Sequence, residues 1–218
     1  MKFELQPTRP EAQGKAEAEH YPTPPELAAE AYRAVYLLHA RSLDGRHMRV
    51  LEPGCGDGAP FLRAATMGVT GRRLGCDVRE IGEPVTGASF LSGVDFLDVE
   101  QCFEVAEKSF AYRSWDLIIT NPPFSMAVEF VERSLELVHP FGLVAMLLQT
   151  GIEASKKRVE FWRRHPFVVK YNLVPRPVFI KGGDMREYAI YVWPGPALAA
   201  ALRNLGRSWS EVRVLNWR

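Results

Sequence analysis

The sequence predicts a single α/β domain, a mostly parallel sheet with helices on both faces, and three observations predict it. Apolar runs of strand length alternate with helical patterns along most of the chain, the pattern of strand–helix–strand units. Two of those runs end in tight polar turns, Leu51-Glu52-Pro53-Gly54-Cys55-Gly56-Asp57-Gly58 and Ile119-Thr120-Asn121-Pro122-Pro123-Phe124. Parallel strands end this way when they deliver residues to the carboxyl edge of an open sheet, where ligands bind. The length of 218 residues suits one domain with a full core.

Residues 1–20, with Pro7, Pro10, Gly14 and many charges, read as a mobile arm before a domain over 21–218. In Thr23-Pro24-Pro25-Glu26 the threonine suits an N-cap, Pro24 the first helical turn and Glu26 a capping box. Leu27, Ala31, Ala34, Val35 and Leu38 then share one helical face, and Gly45 marks the exit. Met48–Glu52 is predicted as the first strand, with a helix from Pro60 to about Met67. Arg73–Val78 is the second strand and residues 94–97 a short third run. Gln101–Phe110 follows as a helix, Trp115–Thr120 as the fourth strand and Met126–Val138 as a helix ended by Pro140 and Gly142. Leu143–Leu148 is a buried strand and Glu153–Arg164 a charged helix. Phe167–Val174 and Tyr188–Trp193 complete seven strands, the last read as antiparallel; a short helix closes at Ala197–Leu205, and the residues beyond it carry no assignable pattern.

Bulk properties exclude several classes. With 47% hydrophobic and 24% charged residues, the composition is that of an ordinary globular protein. A formal charge of +1 marks no overall nucleic-acid binder, so any basic face must come from segregated charge. Cys55, Cys76 and Cys102 lack metal-ligand spacing, so no metal is expected and buried thiols in a reducing cytoplasm are. The opening segment has no apolar signal core, and no apolar run is long enough to span a membrane.

The chemistry concentrates in the turns. Gly54, Gly56 and Gly58 recur at alternate positions, a spacing that lets backbone approach a ligand but does not specify a pyrophosphate. Glu52 before them places a carboxylate at a strand end, able to pair with an amino group. Asp77 stands about 20 residues after the glycine turn, where a carboxylate can accept from both ribose hydroxyls. Asp95 and Phe96 offer an acceptor and a ring for a purine. In the second turn, Pro122 and Pro123 forbid strand continuation and fix a rigid bend. That bend holds Asn121 and the Pro122 carbonyl as acceptors, with Phe124 as a face on which a planar base stacks.

These motifs, TPPE, LEPGCGDG, Asp77, Asp95-Phe96 and NPPF, resemble in kind and order the class I S-adenosylmethionine-dependent methyltransferases, whose fold is Rossmann-like. The resemblance is closer to the gamma-class N6-adenine DNA methyltransferases. The stretch VPRPVFIKGGD followed by EYAIYVW looks like the small phage-type members. The resemblance implies S-adenosylmethionine as cofactor. Thr23, Glu52, Pro53, Gly54 and Gly56 would border its methionine part, Asp77 its ribose, and Asp95 with Phe96 its adenine. It also implies a target adenine flipped out of DNA, its amine gripped by Asn121 and the Pro122 carbonyl in the turn that Pro123 stiffens, its ring stacked on Phe124. The larger members' separate target-recognition domain has no counterpart in this chain.

Residues 151–186 carry nine basic and three acidic side chains, a local excess of six positive charges against +1 for the chain. Lys156, Lys157, Arg163, Arg176, Lys181 and Arg186 are the candidates for contacting a polyanion. DNA is the expected partner. The competing readings are a base amine in ribosomal or transfer RNA, a protein glutamine amide, and a methyltransferase-like module that binds nucleic acid without catalysis.

Overall fold

The computed structural model describes residues 19, 21–40, 48–65, 71–98, 115–179, 186–206 and 210–218. The predicted arm (Glu19 apart), the helix expected over Gln101–Phe110, and Lys181 with its neighbouring glycines lie outside these residues.

An eight-stranded sheet forms the spine, in the order β3-β2-β1-β4-β5-β7-β6-β8. Its strands are β1 (Val50–Pro53), β2 (Arg73–Asp77), β3 (Ser89–Ser92), β4 (Trp115–Thr120), β5 (Val138–Gln149), β6 (Val169–Val174), β7 (Tyr188–Pro194) and β8 (Glu211–Asn216). β7 runs antiparallel between β5 and β6, and every other pairing is parallel. Side chains alternate across the sheet as strand geometry demands. Leu117, Ile119, Ala145 and Leu147 point into one apolar layer, and Trp115, Ile118, Val144 and Met146 into the other. Helix α1 (Pro25–Ala40) covers the first layer with Leu27, Ala28, Ala31 and Val35, joined by Phe61 and Leu62 of α2 (Pro60–Ala64). α3 (Ala127–Leu137) covers the second with Phe130, Val131 and Leu137, and α4 (Val159–Arg164) adds Phe161. α5 (Pro196–Asn204) follows β7.

Several expectations change. The eighth strand was hidden because its valines face outward: Val212 and Val214 are 58% and 68% exposed, while Leu215 and then Trp217 enter the core. The third strand is Ser89–Ser92 and residues 94–97 are loop and turn, since Gly93 turns at a φ of +70° and the side chain of Asp95 caps the N–H of Leu97. The charged helix is broken: 3-10 turns at Thr150–Ala154 and Lys156–Arg158 precede α4, separated by an extended Ser155. β5 begins at Val138 rather than Leu143. There Gly142 lies so close to β4 that a Cβ would stand 2.7 Å from the Asp116 carbonyl oxygen. α1 starts at Pro25, with Ala28 N–H donating to the Pro24 carbonyl, and the Thr23 hydroxyl is engaged elsewhere.

Candidate active site

Strand order reverses direction between β1 and β4, the point where an open α/β sheet leaves a crevice beyond its strand ends. Thr120, fully buried at the end of β4, donates its hydroxyl hydrogen to the Pro53 carbonyl at the end of β1, tying the two strand ends together. Above them lies a cavity of about 520 Å³. Thr23, Glu52, Gly54, Gly56, Asp77, Asp95, Phe96, Asn121 and Pro123 all border it. Residues up to 100 positions apart, inferred separately from their turns, thus converge on one space. Pro53, Pro122 and Phe124 stand outside its wall.

The glycine turn is built for close approach. Gly54 and Gly56 adopt φ of +62° and +59°, backbone that other residues rarely tolerate. A Cβ on Gly54 would make only an ordinary contact with the Phe130 ring, at 3.6 Å, so it is the backbone angle that calls for glycine there. Glu52 sits beneath the turn, almost wholly buried, and accepts from the N–H groups of Phe61 (3.4 Å) and Leu62 (2.8 Å) at the start of α2. Burial pushes its pKa up to about 8, against the opposing pull of those two N–H groups and with a further lift from the charge of Asp77. Burial likewise pushes up the Cys55 thiol in the same turn, which keeps it protonated and inert.

Asp77 is held from two sides. Its Oδ2 accepts from Gly56 N–H at 2.9 Å, and its Oδ1 from the backbone N–H and Nε of Arg79, both at 3.0 Å. The carboxylate therefore braces the glycine turn and faces the cavity fixed in orientation. Asp95 is buried beside it, and Phe96 packs on Phe130 with centroids 5.1 Å apart. An apolar ring flanked by a carboxylate suits a purine, and a fixed carboxylate next to glycine N–H groups suits a sugar diol.

The second turn supplies the acceptor side. Asn121 Nδ2 donates to the Tyr21 carbonyl (2.9 Å) and to Thr23 Oγ1 (3.2 Å). Its Oδ1 is buried and has no hydrogen-bond partner among the described residues. A buried unsatisfied oxygen costs roughly 1–3 kcal/mol, so a structure that keeps one at a cavity wall holds it ready for a donor. Pro123 accepts from Met126 N–H and starts a 3-10 turn at Phe124–Met126. The Phe124 ring lies between Tyr21 and Tyr188, and Phe179 packs edge-on against Tyr188 at 4.7 Å.

The basic segment does not act as a block. Arg163 pairs with Glu160 on its own helix, and Lys170 Nζ lies 2.6 Å from Glu153. Lys156 and Lys157 are exposed in the 3-10 turn after β5, without an ion pair among the described residues. Arg176 and Arg186 are exposed at the carboxyl edge, flanking the loop between β6 and β7.

Sequence reasoning missed Tyr21, Arg79 and Phe130. Tyr21 stood just before a recognised motif, and Arg79 two residues from Asp77, where strand alternation puts a side chain on the same face. Phe130 reads only as one apolar position of a helix. Among the described residues, no helix is long and apolar enough to cross a membrane, and no cluster of His, Cys, Asp and Glu could hold a metal ion.

No family model and no curated protein matches the sequence. Solved structures do match the fold, and several of them are methyltransferases by name. A protein of Listeria monocytogenes assigned to the class I S-adenosylmethionine-dependent methyltransferases aligns with a TM-score of 0.60 and 14% identity over 91% of this chain and 68% of its own. The modification subunit of a type I restriction enzyme from Vibrio vulnificus aligns with a TM-score of 0.59 and 14% identity, over 83% of this chain and 45% of its own. A ribosomal RNA methyltransferase of Plasmodium falciparum aligns with a TM-score of 0.53 and 11% identity, over 76% of this chain and 96% of its own. At these identities the likeness is one of fold: a single α/β domain with a mostly parallel sheet.

Proposed function

We propose that this chain transfers a methyl group from S-adenosylmethionine to the exocyclic N6 of adenine in DNA. The observation that carries the proposal is the buried, unpartnered Oδ1 of Asn121 at the wall of a cavity that also gathers the glycine turn, Asp77 and Asp95. The fold shared with methyltransferases supports the reaction class, and the restriction-modification neighbour supports DNA.

In this reading the glycine turn receives the methionine part of the cofactor, Asp77 the ribose hydroxyls, and Asp95 with Phe96 the adenine. The cofactor, when bound, supplies a methyl group already activated on a sulfonium. Asn121 Oδ1 and the Pro122 carbonyl grip the two hydrogens of the target amine. The lone pair of that amine is conjugated with the purine ring; two acceptors on its hydrogens favour a pyramidal nitrogen and offset the positive charge that grows as it takes the methyl. Phe124 offers a stacking face, which returns about 1–3 kcal/mol of the cost of taking a base out of the duplex. The rigid Pro122-Pro123 turn holds these groups so that the protein mainly aligns reactants.

Incubation with cofactor labelled on the methyl group and unmethylated DNA, RNA or protein tests the proposal, followed by nucleoside mass spectrometry. N6-methyladenine from DNA is the expected product. Asn121→Ala should bind cofactor normally yet lose most transfer. Label found only in RNA would favour the second reading, which the ribosomal RNA methyltransferase neighbour supports.

A further inference from the structure

The resemblance to adenine methyltransferases assigns Thr23 to the cofactor, but its hydroxyl oxygen lies 3.2 Å from the amide nitrogen of Asn121. The other acceptor on that nitrogen is the main-chain carbonyl of Tyr21, at 2.9 Å. A carboxamide has two faces of opposite character, and either can point at the cavity. The Tyr21 carbonyl decides between them because it can only accept: turning the amide over would set Oδ1 against a second lone-pair oxygen. Thr23 takes the remaining amide hydrogen. Together they leave one polar atom of Asn121 unspent, the buried Oδ1.

We propose that Thr23, acting with the Tyr21 carbonyl, is a positioning residue that locks the Asn121 carboxamide so that only Oδ1 faces the incoming amine. The inference rests on the reading of Asn121 as acceptor for that amine. It changes the role of the segment before α1 from binding the cofactor to orienting the group that meets the substrate. The segment is anchored for this task beyond the two bonds themselves. Glu19 accepts from the N–H of Ser125 at 3.0 Å, and Tyr21 stacks on Phe124, so the residues that follow Asn121 in its turn are tied to it. An unlocked amide would turn part of its time with Nδ2 toward the amine, donor against donor, and those encounters are unproductive. Locking thus acts on the turnover step and not on the affinity for either substrate.

The test compares the full chain with Thr23→Val and Thr23→Ser. Thr23→Val keeps the shape and removes the hydroxyl. It should lower kcat by about 10–100-fold, as removal of a positioned group in an electrostatic site does, with cofactor Kd and target KM unchanged. Thr23→Ser should restore most of the rate. A second readout needs no turnover: hydrogen exchange of the Asn121 side-chain amide by NMR, its peaks identified by their loss in Asn121→Asp. That exchange should quicken in Thr23→Val and return to normal in Thr23→Ser. A weakened cofactor Kd with an intact kcat would overturn the inference and give Thr23 back to the cofactor. Unchanged amide exchange would overturn it as well. If the chain methylates nothing, the activity reading fails, and the exchange data alone judge the lock.

Discussion

The ring of Tyr21 lies on Phe124 with centroids 5.5 Å apart and planes 18° from parallel. That is the geometry of an offset stack, and it covers a face on which a target base would rest. A base and Tyr21 cannot both lie against that face of Phe124. Tyr21→Ala is therefore expected to lower the KM for target nucleic acid by roughly 3–10-fold, the gain of no longer displacing a stacked ring. The same change should cost about 0.5–1.5 kcal/mol of stability, seen as a lower Tm. A raised KM in a well-folded variant would show that Tyr21 helps to hold the base instead.

Arg79 and the proposed ribose compete for one carboxylate. The guanidinium lies 3.0 Å from Asp77 through Nε, at the wall of the same cavity. Asp77→Ala should weaken cofactor binding about tenfold, on the order of one charged hydrogen bond. Arg79→Ala should tighten it by about threefold, because the ribose hydroxyls then meet an uncontested acceptor. Calorimetry on both variants decides the matter, and weaker binding in Arg79→Ala would make the arginine a cofactor ligand.

Glu52 makes stability depend on pH in an unusual direction for a carboxylate. Its pKa in the fold, about 8, lies above the unfolded value near 4.5, so the native state binds the proton more tightly. The stabilising effect is complete below the unfolded pKa and is lost as pH rises from there through the folded pKa. Across that window the loss is on the order of a few kcal/mol. Glu52→Gln, which keeps an acceptor for Leu62, should flatten the curve between pH 5 and about 8. Denaturant titrations at several pH values read this out, and an equally steep decline in Glu52→Gln would exonerate the residue.

The basic groups should divide by position. Lys156 and Lys157, exposed after β5, can meet phosphates and carry no sequence information. Lys156→Ala with Lys157→Ala should weaken DNA binding alike on all sequences and reduce the salt slope by about one to two. Arg176, exposed at the carboxyl edge, should influence which sites are modified. Readout by so few side chains gives a short or degenerate site. Mapping modified adenines on long unmethylated DNA tests this, and a single long, strictly read site would refute it.

The parts of the fold that were legible are those where local chemistry and tertiary demand agree. Trp115–Thr120 was bounded correctly because a mostly apolar run is followed, one residue on, by two prolines, and no packing context changes what proline does to a strand. Asp77 and Asn121 were legible as polar residues closing such runs. What escaped depended on the partner. β8 shows two valines to solvent and draws its place from backbone pairing with β6, which leaves no periodic trace. Thr23 has the identity of an N-cap, yet its hydroxyl answers to a side chain 98 positions away. Charge counting over residues 151–186 could not foresee that Lys170 and Arg163 would be matched by Glu153 and Glu160.

The bond from the Thr120 hydroxyl to the Pro53 carbonyl has a mechanical consequence. Reactions driven by alignment tolerate errors of only about half an ångström. Groups carried on independent loops wander separately, and their errors add. Here the two turns spring from neighbouring strands fastened at their tips. Thermal displacement moves both in the same sense and largely cancels in the gap between them. The spacing of the two turns where they leave the sheet is thus set by the strand-to-strand pitch, about 4.8 Å, a ruler that substitution elsewhere in the chain leaves unchanged.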